Sequence, residues 1–295
     1  MGTAPQRAAE VIRKRAILAL IVTAAAWSTS GLLIALVPLN ALAIAGGRSF
    51  IAAIVLLVYL RRPRITFSPA QIVAALAYAA TMITFVLANK LTTSANAIFL
   101  QYLSPAFVAV LGIWFLGERP RPVEWIIIAV VIAGMGLFFV GRLSFRGLVG
   151  NVVAIVSGLF FALFIVFMRK QHEGSPLESM LLGHLVTALV SIPFWVGSKA
   201  PDAAGWGALL ALGVFQIGLS SVSFAFAVKH VTALSTAIIT LIEPVLNPVW
   251  VFVFAGQKPT PTALAGGFII LSMVTLRSIL TVRSGRQEKR RALRT

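Results

Sequence analysis

Glu243 lies within the apolar run 233–255 and is the only acid near the middle of any such run in the chain. An ionised carboxylate at that depth of a bilayer costs roughly 2.5–3.5 kcal/mol unless it is paired or hydrated. Two readings account for it. In one, Glu243 faces a water-filled cavity, where it binds a substrate ammonium group or exchanges a proton. In the other, it bonds backbone groups freed by Pro244 and Pro248, or sits in a buried pair. Thr240 and Asn247 share its helical face and make that face polar. Arg48 and His184 fall at mid-depth in two further apolar runs, and aligning Gly47 with Gly183 makes them counterparts. Arg48 can neutralise Glu243, contact a substrate carboxylate or bond helix-end carbonyls. His184 reads as an interhelical hydrogen-bonder or as a proton relay.

Other side chains suit the walls of such a cavity. Gln101 and Tyr102 flank Pro105, and Tyr78, Met82 and Phe85 form one helical stripe. Trp27 and Ser28, with Phe160 and Phe164, add an apolar wall, although an aromatic stripe is equally a packing face. Tyr, Gln, Met and Phe together suit a zwitterion with a bulky side chain better than a sugar or an inorganic ion. Pro105 and Pro244 each delete a backbone hydrogen bond and are expected to bend their helices, as hinges or as fixed curvature. Lys90 and Lys229 close two short links, where an ammonium bonds helix-end carbonyls or gates a pathway.

Enzyme chemistry finds little footing. The chain has 3 His and no Cys, and shows no paired carboxylates, no metal-ligand spacing and no nucleotide-binding motif. No cofactor and no metal site is expected.

The elements that must position these residues follow from composition: 59% hydrophobic and 11% charged residues mark an integral membrane protein. Windows of membrane-spanning length predict helices at 16–37, 40–60, 69–88, 92–116, 123–141, 147–169, 177–197, 204–227, 233–255 and 262–282. Arg13-Lys14-Arg15 ahead of Ala24-Ala25-Ala26 imitates a secretory leader, but the apolar run continues through Val37 and reads as the first span. The net charge of +17 is spread over short clusters between spans, a topology signal and not a nucleic-acid face. With the N-terminus cytoplasmic, the inner side takes Arg7, Arg13, Lys14, Arg15, Arg61, Arg62, Arg64, Arg119, Arg121, Arg169, Lys170, Lys229 and the tail from Arg283 to Arg294. The outer side takes only Lys90, Arg142, Arg146, Lys199 and Lys258. Both termini are therefore expected inside, with the basic tail against anionic lipid.

The stretch from Ala88 to Pro122 recurs without a gap from Ala227 to Pro261. Lys90 falls on Lys229, Thr93 on Thr232, Pro105 on Pro244, Gly117 on Gly256, and Pro122 on Pro261. A unit with an odd number of spans must re-enter the membrane from the other side, so the halves 1–143 and 144–282, followed by the tail 283–295, are expected to be inverted repeats. At the equivalent positions Ser104 and Glu243 the symmetry breaks.

Ser104-Pro105 through Gly117-Glu118-Arg119, and Glu243-Pro244-Val245 through Gly256, resemble the EamA-like members of the drug/metabolite transporter superfamily over nearly the whole chain. Gln257 departs from the pattern, since the family usually carries an acid there. The resemblance implies ten helices in two inverted five-helix halves and export of amino acids or related metabolites, with a closer likeness to aromatic amino acid exporters of the YddG type. The expected partners are a small-molecule substrate, the lipid bilayer and, if Glu243 titrates, protons. A channel-like facilitator or a lipid-handling flippase is the competing class, and neither a ring of acids nor a filter loop favours it.

Overall fold

In a bilayer each backbone amide must find its partner within its own segment, so apolar runs of this length fold as helices. The computed structural model describes residues 4–141, 143, 147–171, 175–255 and 258–292, and among these residues no strand occurs. Gly256, Gln257, Arg142, Arg146 and Arg294 lie outside the described residues. The helices are α1 (Ala4–Ser28), α2 (Ser30–Ala35), α3 (Ala41–Leu60), α4 (Pro69–Leu91), α5 (Ser94–Gln101), α6 (Ser104–Leu116) and α7 (Pro122–Phe138). They continue as α8 (Leu148–Lys170), α9 (Pro176–Ser191), α10 (Ala203–Ala211), α11 (Ser220–His230), α12 (Ala233–Ile239), α13 (Ile242–Ala255) and α14 (Pro261–Ala292). Among the described residues 9 helical stretches are long and apolar enough to cross a membrane. α7, apolar but 17 residues long, is a shorter tenth.

Several spans differ from continuous rods. The first breaks at Thr29 between α1 and α2, and the seventh ends in a 3-10 turn, Ile192–Phe194, at Pro193. A π-helical segment, Leu212–Leu219, joins α10 to α11 within the eighth. The fourth and ninth spans, expected as single helices bent at proline, are each two helices separated by a break, at Tyr102–Leu103 and at Thr240–Leu241. Pro105 and Pro244 stand in the first turns of α6 and α13. A proline in a first turn forfeits no intrahelical bond, so the chain breaks just ahead of it instead of kinking around it.

The element boundaries recur at the spacing of the sequence repeat. α4 ends at Leu91 and α11 at His230, α6 at Leu116 and α13 at Ala255, while α7 and α14 open on Pro122 and Pro261. The cap that starts the broken span recurs too. Thr93 Oγ1 accepts the Asn96 amide at 3.1 Å, and Thr232 Oγ1 accepts the Ser235 amide at 3.2 Å.

Packing runs mainly between the halves. α4 lies along α8 and α1 along α11; α3 pairs with α9 and α7 with α14; α6 packs on α8 and α13 on α1. α8 has 23 residues, about 35 Å at the helical rise. At its start Gly147 and Gly150 press on Leu91 and Thr92, where a Cβ on Gly150 would fall 2.5 Å from the Leu91 carbonyl carbon. At its end Arg169 donates to the Lys229 carbonyl. The links 90–93 and 229–232, equivalent in the repeat, thus meet opposite ends of one helix.

Candidate functional site

The two breaks meet in the middle of the bundle. Tyr102 ends α5, its amide donating to the Ile98 carbonyl at 3.0 Å, and this turn aims the phenol away from its own helix. The Tyr102 hydroxyl donates to Glu243 Oε2 at 2.5 Å, joining the break in the fourth span to the first turn of α13. The bond crosses the halves.

Arg48, on α3, is 7% exposed. Its Nη2 donates to the Met82 thioether at 3.4 Å and its Nε has no partner. No described carboxylate comes within 4.0 Å of the guanidinium. His184 Nε2 and the Tyr78 hydroxyl share a hydrogen bond of 3.2 Å, while His184 Nδ1 is unbonded. Gly183 makes this possible: a Cβ there would sit 2.7 Å from Tyr78 Cδ1 and 2.9 Å from the Ala75 carbonyl oxygen, so only glycine lets α9 approach α4.

Gln101 is held at the break, its Nε2 donating to Ser157 Oγ at 3.0 Å, and Ser157 in turn donates to the Thr81 carbonyl at 3.3 Å. Gly158, one residue on, admits the Gln101 carbonyl to within 2.6 Å of where its Cβ would be. Thr240 turns back on its own helix, donating to the Thr236 and Ala237 carbonyls. Asn247 lies half-buried one turn beyond Glu243. Pro248, inside α13, denies the Pro244 carbonyl its helical donor.

The aromatic residues form a ladder across the core. Trp27 meets Phe224 at 5.4 Å between ring centroids, Phe224 stacks on Phe164 at 5.4 Å, and Phe164 leans on Tyr78 at 4.8 Å. Phe161, and not Phe160, faces Trp27, and Phe85 packs separately with Ala88, Ala97 and Ala154. Indole N–H groups tie the first span to the second half. Trp27 Nε1 donates to Ser220 Oγ at 3.0 Å and Trp250 Nε1 to Ser28 Oγ at 2.8 Å.

Lys90 and Lys229 are exposed in the last turns of α4 and α11. Beside Lys229 lies a charged cluster that hydropathy does not disclose. Arg169 Nε donates to Glu118 Oε1 at 3.1 Å, and Glu118 Oε2 accepts the Ala233 amide at 2.9 Å. Arg277, on α14, pairs with Glu124 and donates to Thr232 Oγ1 at 3.0 Å. The only available signal for these pairs was the position of each acid next to a span end. Among the described residues no group of three or more His, Cys, Asp or Glu is placed to hold a metal ion.

A model of the EamA-like transporter family matches residues 14–140 and again 148–279. The pseudopaline exporter CntI of Pseudomonas aeruginosa is 33% identical over 182 residues, 60% of this chain and 63% of the exporter, so the match spans less than two thirds of that relative. The threonine/homoserine exporter RhtA of Escherichia coli is 25% identical over 80% of this chain and 81% of its own. A solved crystal structure superposes with TM-score 0.75 at 20% identity, covering 94% of this chain and 99% of the other, a likeness of fold alone.

Proposed function

The chain belongs to the EamA-like transporter family, and on that premise we propose that it is a secondary transporter exporting amino acids or related small metabolites across the inner or plasma membrane by alternating access. The observation that carries this reading is the junction of the two breaks, Tyr102 to Glu243, at repeat-equivalent places in the fourth and ninth spans. Broken helices that meet at mid-depth from two halves are where secondary transporters place their substrate site.

The opposite ends of α8 touching equivalent links support an inverted arrangement of the halves, with both termini on the cytoplasmic side as the Lys and Arg distribution favours. In such an arrangement one asymmetric conformation opens outward and its mirror opens inward. Pro105 and Pro244 then mark the hinges, and Lys90 and Lys229 stand one at each mouth. Tyr78, Met82 and Tyr102 beside the charged groups suit amino acids with apolar side chains, aromatic ones included. Glu243 is the candidate proton-exchanging group.

The test is efflux from liposomes containing the purified protein and a labelled amino acid panel, with and without a proton gradient. Saturable, competable flux is expected. Glu243→Gln should elute as the parent does and move substrate roughly 10- to 100-fold more slowly, the worth of a hydrogen bond to a charged group. Undiminished flux in that variant at every pH removes Glu243 from the mechanism. Unsaturable flux would make the chain a channel, and no flux at all would defeat the transport reading.

A further inference from the structure

Among the described residues two arginines are buried, and their surroundings differ. Arg277 is 5% exposed, and its terminal nitrogens are matched by the Glu124 carboxylate and the Thr232 hydroxyl. Arg48 is 7% exposed, and its one bonded nitrogen meets a thioether, a weak acceptor. Both leave Nε unbonded, so the difference lies in the outer fork. The protein itself neutralises Arg277 and leaves Arg48 unneutralised at mid-depth, where an unmatched charge is costly.

We propose that Arg48 is an anion subsite that takes the carboxylate of the transported molecule, with Glu243 and Tyr102 receiving its ammonium end. The inference rests on the transport function proposed above and narrows its substrates to molecules carrying both charges. A guanidinium offers a planar fork of N–H donors that fits a carboxylate through two parallel bonds, which the Met82 sulfur cannot do. Glu243 could have filled that fork, but its Oε2 is held by Tyr102 and the carboxylate stays beyond 4.0 Å of Arg48. Tyr78 and His184, the other polar groups close by, are bonded to each other and bring no negative charge. The Arg48 fork thus has no carboxylate partner among the described residues, and a zwitterion of amino-acid type supplies one while its ammonium meets the Glu243 carboxyl group. A sugar would neutralise neither, a polyamine would repel Arg48, and a dicarboxylate would repel Glu243.

Binding, read separately from flux, tests this. Purified protein in detergent is titrated with each standard L-amino acid and with its α-carboxamide, at a pH where the ammonium of both stays charged, following intrinsic tryptophan fluorescence during unfolding. The acid that binds most tightly should do so roughly 10- to 100-fold more tightly than its amide. In Arg48→Met that ratio should fall to about one, while the ligand-free variant unfolds no earlier than the parent, because removing an unmatched buried charge is neutral or stabilising. Equal binding of acid and amide by the parent, or an unchanged ratio in Arg48→Met, overturns the subsite. So does a variant that misfolds or unfolds markedly earlier, since that outcome makes Arg48 a structural group. Discriminating binding without flux in liposomes would uphold the subsite and defeat only the transport reading.

Discussion

Where α6 turns into α7 and α11 into α12, charged side chains join the helices. Glu118 holds Arg169 and the Ala233 amide, and Glu124 holds Arg277. At the opposite end, where α4 turns into α5 and α8 begins, neutral groups perform the same task. Asn151 Oδ1 accepts from Thr92 Oγ1 at 2.7 Å and from Asn96 Nδ2 at 2.8 Å, above glycines pressed against the Leu91–Thr92 backbone. The two ends are built on equivalent segments of the repeat, yet Ala263 stands where Glu124 has its counterpart and Phe138 where Arg277 has its own. Helix boundaries have thus been kept in both copies while the bonds that join the helices at each end have diverged. An ion pair pulled apart must be hydrated at once, whereas an amide and a hydroxyl exchange partners at lower cost.

Disabling the more buried charged pair should have the largest effect. Arg277→Met strands the Glu124 carboxylate and is expected to cost about 3–5 kcal/mol, seen as an earlier melting transition in detergent. Adding Glu124→Leu should recover most of the loss, and a single variant as stable as the parent would show that this end is not held by the pair.

The neutral end is best probed by volume. Gly150→Val must displace the Leu91 carbonyl carbon and the Thr92 amide nitrogen, 2.5 and 2.6 Å from the new Cβ. Because backbone cannot yield as a side chain does, the expected cost is about 1–3 kcal/mol. Gly207→Ala, at a glycine with nothing within 4 Å of an added Cβ, serves as the control and should melt with the parent.

Ionic strength gives the smallest and most selective contrast. Arg169 and Glu118 are 29% and 25% exposed, so Glu118→Gln should cost under about 1 kcal/mol, and less as salt is added. The deficit of Asn151→Ala should hold constant across the same salt series. A salt-sensitive Asn151→Ala would erase the distinction between the ends.

Hydropathy and the repeat made the helical spans legible, because a bilayer demands length and apolarity above all else. The breaks were not, since a run such as 92–116 stays apolar straight through Tyr102, and proline reports only where a helix is free to restart. Glu243 could be singled out by its cost at that depth. Its partner Tyr102 could be placed near Pro105 but not bonded, because a contact between residues so far apart in sequence has no local signature. Phe160 shares the expected stripe with Phe164, yet Phe161 is the ring that meets Trp27, since one residue turns a side chain by about 100° around the helix. The charged cluster was hidden for the same reason as the Tyr102 bond: Glu124 and Arg277 are ordinary interface residues until the fold brings α7 against α14.

The pairing of α4 with α8 and of α1 with α11 also bears on how the protein is made. During synthesis α4 enters the membrane before the helix that buries Tyr78 and Thr81 exists, and α1 waits longer still for Phe224 and Ser220. Within the first half α3 meets α4 and α4 meets α5, but the larger share of each helix's packing comes from the second half. Most of the packing therefore needs both halves, so two halves supplied as separate chains should each be degraded alone and survive when made together.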